Sequence, residues 1–107
     1  MTWRVRDRST FSALAGAPRR RKGPVSLACL PGPDRTPPRV AYAVGRKVGG
    51  AVTRNRVRRR LRASVARHRS QLRPGAVYLF GAGREAATMP FADLEAAVAE
   101  LLAGSTR

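Results

Sequence analysis

Val44-Gly45-Arg46-Lys47-Val48-Gly49-Gly50-Ala51-Val52-Thr53-Arg54-Asn55-Arg56-Val57-Arg58-Arg59-Arg60-Leu61-Arg62 is the stretch on which the reading of this chain turns. From Arg54 to Arg62, six of nine residues are arginine. On a wheel turning ~100° per residue, Val57, Leu61, Ser64, Val65 and His68 form one narrow stripe that can pack on a sheet. Arg58, Arg62 and Arg69 line one flank, with Asn55, Arg59 and Ala66 behind them; Arg56, Arg60 and Arg67 line the other. The spacing predicts a long helix over Val52 to Leu72, stopped by Arg73-Pro74-Gly75. A solvated helix normally mixes charge signs, because opposite charges at i,i+4 support it and like charges oppose it. Here no acidic residue occurs between Gly45 and Arg84. The repulsion is left uncorrected, which points to a polyanion as the missing counter-charge.

The rest of the chain carries the same bias. Of 107 residues, 22 are Lys or Arg and 6 are Asp or Glu, a formal net charge of +16. Three of the acids, Asp93, Glu95 and Glu100, lie near the C-terminus, so the preceding part is more basic still. A field of this sign and density implies a polyanionic partner. Twenty of the 22 cations are Arg, whose guanidinium grips phosphate with two prongs and stacks on bases. RNA binding accounts for that excess; so would the base composition of a genome. No apolar run approaches the ~20 residues that cross a bilayer, and none of signal-peptide length follows the basic N-terminus. The expectation is a cytoplasmic protein without a membrane partner.

Outward from the arginine helix, the coarse order is α-β-β-α-β-α. Ser9 or Thr10 can cap a short first helix with Phe11, Leu14 and Ala15 on one side. Arg19 to Gly23 reads as a basic loop, Val25 to Leu30 as a strand, Pro31 to Pro38 as a hairpin connection and Arg39 to Val44 as a second strand. Neither strand alternates cleanly, so facing is left open. Ala76 to Ala82 is a third strand, and Pro90 opens a terminal helix to about Ala103. Its apolar residues Phe91, Leu94, Val98, Leu101 and Leu102 recur at helical spacing, which assigns it to packing on the sheet. The expected architecture is an α+β sandwich, one domain over residues 1–107, with residues 1–8 a basic stretch that is irregular or extended. The lone Cys29 and lone His68 make no metal site. Cys29 reads as a small buried hydrophobe, and His68, on the apolar stripe, as a packed or edge histidine. Lys47-Val48-Gly49-Gly50-Ala51 sets small residues before a helix N-terminus, where backbone N–H groups can meet a phosphate; a plain turn fits equally well.

The quoted stretch resembles the signature of the bacterial ribonuclease P protein family, a Ser-basic-basic-Val-Gly-Asn-Ala-Val-x-Arg-Asn-Arg-x-Lys/Arg-Arg pattern after a strand. Arg54-Asn55-Arg56 matches its core. The basic start, Phe11, Pro74-Gly75 before the third strand and Pro90-Phe91 before the last helix also match, so the resemblance covers nearly the whole chain. Gly45 and Gly50 stand where the family usually has Ser and Asn, and Ala15 where it often has a second aromatic. The resemblance implies a fold like the second domain of a small-subunit ribosomal protein, with a left-handed crossover through the Arg-rich helix. It also implies a protein that assists a catalytic RNA in cutting the 5′ leader from precursor tRNA. No catalytic residue and no cofactor is then expected in the chain, and magnesium is held by the RNA. Arg46, Lys47, Arg54, Asn55, Arg56, Arg58, Arg59, Arg60 and Arg62 are the candidates for docking on the catalytic RNA, one protein monomer per RNA. Phe11 and Tyr42 are candidate stacking platforms for the single-stranded leader, in a cleft between the first helix and the sheet; core packing is the other reading of each. The rivals are a structural or ribosomal RNA-binding protein without a role in cleavage, and a small nuclease acting alone.

Overall fold

The computed structural model describes residues 3–4, 12–14, 16–32 and 35–105. Among them run five strands, β1 (Trp3–Arg4), β2 (Arg19–Lys22), β3 (Val25–Leu30), β4 (Arg39–Ala43) and β5 (Val77–Ala82), and two long helices, α1 (Ala51–Arg67) and α2 (Phe91–Ser105). Residues 12–14 form a helical turn. Short 3-10 turns occupy Arg46–Val48, Arg69–Gln71 and Arg84–Ala87. The α+β class is as expected. The sheet is larger than the three expected strands, in the order β1-β4-β5-β3-β2.

Three expectations are corrected here. Arg19–Lys22 is a strand, antiparallel to β3, and not a loop. Gly23, at φ 57, supplies the left-handed backbone that lets the chain reverse into β3. Residues 31–38 are no hairpin connection, because β5 lies between β3 and β4. β5 pairs antiparallel with β3 and parallel with β4, so it ties the two halves together. Finally, α1 stops at Arg67, and a 3-10 turn carries the chain on to Leu72. In addition, Trp3–Arg4 pairs parallel with β4.

Residues opposite one another in register share a face of the sheet. One face presents Val25, Leu27, Val40, Tyr78 and Phe80 to both long helices. On α1 the buried residues are Val57, Leu61, Ser64 and Val65, the stripe read from the sequence without His68, which is half-buried just past the helix. On α2 they are Leu94, Ala97, Val98, Leu101 and Leu102. The other face presents Ala28, Ala41, Val77 and Leu79, and Leu14 of the helical turn, wholly buried, packs on it. Both faces are thus covered in part, which is why the strands read as continuous apolar runs without alternation.

A guanidinium-covered helix as candidate nucleic-acid interface

Helix α1 carries its arginines in three sets. Arg56, Arg59 and Arg62 are exposed, as is Asn55. Arg54 and Arg58 are half-buried at the margins of the packed stripe. Arg58 is fixed in place: its Nη1 donates to Asn55 Oδ1 at 3.0 Å and its Nη2 to the Val44 carbonyl at 3.4 Å. Arg54 has a buried Nε with no partner in the described residues. Arg62 lies over the Tyr42 ring, 5.6 Å from its centroid.

The third set faces α2. Arg60 Nη1 donates to the Ala86 carbonyl at 2.7 Å, and its Nη2 to that of Met89. Arg60 and Arg67 both lie over Phe91, at 6.0 and 5.4 Å from the ring centroid. Arg67 also meets Glu95 at 3.0 Å, and His68 Nε2 meets the same carboxylate at 3.3 Å. Lys22 pairs with Glu100 at 3.2 Å. The carboxylates of α2 therefore meet Arg67 and His68 at the end of α1 and Lys22 of β2. Among the described residues, no carboxylate pairs with any arginine from Arg54 to Arg62.

The start of α1 adds to the positive field. Gly50 is its N-cap and makes no side-chain cap bond, and no acid stands in its first turn. Gly49 is held at φ 148, and a Cβ there would press on Thr53. Arg46 and Lys47 are exposed on the 3-10 turn just before it. The unsatisfied N–H groups of a helix start favour an anion.

Of the two candidate stacking platforms, Phe11 lies outside the described residues. Tyr42 is corrected: it is on the α1 face of the sheet, stacked on Phe80 at 6.1 Å and 22°. Leu14 packs on the opposite face, so the structure does not bring Tyr42 to a cleft beside the first helix. The cause is register, since Tyr42 pairs with Phe80 whereas Ala41 pairs with Leu79. Burial pushes the Tyr42 phenol up to about 12, against the lowering effect of Arg62. Burial likewise raises the Cys29 thiol, which sits half-buried on β3.

That opposite face has features the sequence reading missed. Register places Ala43, Gly81, Ser26 and Arg21 in one row across four strands, and Ala41, Leu79, Ala28 and Arg19 in the next. A Cβ on Gly81 would collide with Ser26 Oγ. The first row is small throughout, the second lies under Leu14, and each is edged by an exposed arginine. The signal lay in alternation within Arg19-Arg20-Arg21-Lys22, legible only once that segment is known to be a strand. Among the described residues, no three His, Cys, Asp or Glu side chains gather as metal ligands, and no helix is long and apolar enough to cross a membrane.

A small sheet with a guanidinium-covered helix laid along it, its Arg54–Arg62 stretch without carboxylate partners among the described residues, defines a basic α+β protein. The chain belongs to the ribonuclease P protein family: the Ribonuclease P family model matches residues 1–105. It is 36% identical to the ribonuclease P protein component of Streptomyces bikiniensis, over 97% of this chain and 95% of that one. It is 37% identical to that of Acidothermus cellulolyticus, over 98% and 89%. The fold is similar to that of the RNase P protein of Staphylococcus aureus, with a TM-score of 0.81 at 17% identity over 96% of this chain and 94% of that one. It is similar also to that of Thermotoga maritima, with a TM-score of 0.79 at 18% identity over 92% and 94%.

Proposed function

We propose that this chain is the RNA-binding subunit of ribonuclease P, assisting a catalytic RNA in removing the 5′ leader from precursor tRNA. The observation that carries the reading is the solvent-facing side of α1, where Arg56, Arg59 and Arg62 stand without carboxylate partners among the described residues, in a chain of this family. Arg46, Lys47 and the uncapped start of α1 extend the same field. Each phosphate met there releases condensed counterions, which drives association. The chemistry and its magnesium ions belong to the RNA. His68 and Glu95 are tied to each other and to Arg67 between the two helices, with no third ligand group beside them among the described residues.

The leader runs over the opposite face of the sheet. The row of Ala43, Gly81 and Ser26, beside the patch that Leu14 covers, admits a flat base or sugar, and Arg19 and Arg21 meet its phosphates. By lowering repulsion between catalytic RNA and substrate, a +16 chain reduces the magnesium needed for assembly. Leader contact favours precursor over product, since only the precursor has a leader to hold.

The test is to add the purified chain to ribonuclease P RNA and precursor tRNA at low magnesium. Stimulated cleavage at the mature 5′ end is the expected result. Binding without stimulation would make the chain a structural RNA-binding protein, and cleavage without added RNA would place the active site in the protein.

A further inference from the structure

Along the outer side of α1, Val52, Asn55, Arg58, Arg59 and Arg62 line a shallow depression. Two of its features are out of place in a surface made only for phosphates. Val52 is 83% exposed, the one large apolar side chain so placed among the described residues. At the other end, Arg62 lies over Tyr42, which is itself stacked on Phe80. Arg62 has no hydrogen bond or carboxylate partner among the described residues, so its donors and its outer side are open to solvent.

A paired RNA helix offers its partner phosphates and 2′-hydroxyls while its bases stay stacked inside. Such a partner would use the cations and leave Val52 and the Tyr42-backed guanidinium with nothing to cover them. An unpaired strand offers phosphates and base faces together. We propose that this seam holds an unpaired stretch of RNA lengthwise, with one base stacked on Arg62 and so extending the Arg62–Tyr42–Phe80 column. A second base or sugar lies on Val52, ten residues and therefore about 15 Å along the helix. Between them the backbone meets Arg59 and Arg58. Arg58 is already oriented by Asn55 Oδ1 and the Val44 carbonyl, so less side-chain freedom is lost on binding. Asn55, accepting through Oδ1, keeps its amide N–H groups for a phosphate or a base edge.

This inference rests on the RNA-binding reading above and narrows it to a strand with unstacked bases at one place. It is tested with the full chain and a single-stranded RNA carrying 4-thiouridine, irradiated and mapped by mass spectrometry, beside the same strand annealed to its complement. The single strand is expected to label Tyr42 or residues 52–62, and the duplex to leave them unlabelled. Arg62→Lys keeps the charge but loses the planar stacking group. It should abolish labelling there and weaken single-strand binding at the seam about tenfold to a hundredfold, the contribution of one stacked base, with the salt dependence unchanged. Tyr42→Leu should do the same. Because Tyr42 packs on the core, Arg62→Lys, at an exposed position, decides if the Leu variant misfolds. Adducts confined to residues 19–30, equal labelling by the duplex, or affinity indifferent to Arg62→Lys would each overturn the seam. If the wild-type chain nonetheless stimulates cleavage, the wider function stands without it. If the chain neither binds RNA nor stimulates cleavage, both fall.

Discussion

Arg60 donates to the Ala86 and Met89 carbonyls and lies over Phe91, whereas Arg59, its chain neighbour, reaches solvent without a partner among the described residues. The ~100° step between successive helical residues separates the two uses. Arg60→Ala should therefore act on stability. Losing charge-assisted bonds to two part-buried carbonyls costs about 1–3 kcal/mol, a fall in Tm of roughly 4–8 °C per kcal/mol for a domain near this size. Arg59→Ala should stay within ~0.5 kcal/mol of the parent and instead lower the salt slope of RNA binding by about 0.7–0.9. Thermal melts and binding isotherms at several salt concentrations separate the pair; a flatter slope with an unchanged melt for Arg60→Ala would make it a phosphate ligand. Tyr42 gives a second residue-scale expectation. Its phenol titrates near 12 in the folded chain against ~10 when unfolded, so folding favours the protonated form. That stability is fully present below pH ~10 and is lost as pH rises through about 12. Tyr78 is raised in the same direction by burial. An ultraviolet titration should accordingly show Tyr42 largely un-ionised at pH ~10.5, with unfolding following its ionisation at higher pH.

At the scale of elements, β2 shows what a sequence yields and what it withholds. Arg19 and Arg21 share a face with Ala28 and Ser26, while Arg20 and Lys22 share the other with Leu27 and Val25. Arg19→Ser with Arg21→Ser should reduce the preference for leader-bearing tRNA and flatten its salt slope by ~1.4, two contacts at ~0.7 each for a single strand. Arg20→Ser, on the side that lies against Gly104, should leave that preference alone; equal effects from both variants would remove the sheet face from leader binding. None of this was legible from Arg19-Arg20-Arg21-Lys22, because four cations carry no apolar period and the strand exists only through its pairing with β3. The facing of Tyr42 was hidden for the opposite reason, since Val40-Ala41-Tyr42-Ala43 is apolar on both sides of a sheet covered in part on each. By contrast the packed face of α1 was readable, although its end at Arg67 was not: Val57, Leu61, Ser64 and Val65 are its buried set, because one packed stripe against five or more cations leaves a helix only one way to lie. What the stripe could not tell was which flank meets another element. Phe91 and the carbonyls after β5 decide that for Arg60.

For the whole molecule, the governing quantity is an excess of sixteen positive charges, offset among the described residues by the contacts of Lys22, Arg67 and His68 to α2. Self-repulsion at this density opposes the compact state, and salt screens it over a Debye length of ~10 Å at 0.1 M. Without RNA, the chain should melt higher as ionic strength rises, by roughly 5–10 °C if screening recovers one to two kcal/mol. Calorimetry across salt concentrations measures this, and a melting point that falls with salt would mean that the pairs of Lys22, Arg67 and His68 outweigh the repulsion.

The place of β5 sets the timetable for all of this. It is the central strand, between β3 and β4, yet it follows every cation of α1 in the chain. A growing polypeptide must emit its entire arginine helix before the strand that joins its two halves exists. Until residue 82 has been made, β3 and β4 have no common neighbour and α1 has no finished sheet to lie on. Folding is therefore late and dominated by partners distant in sequence, which makes it slow, and through that interval the most charged part of the chain is the part least shielded by structure.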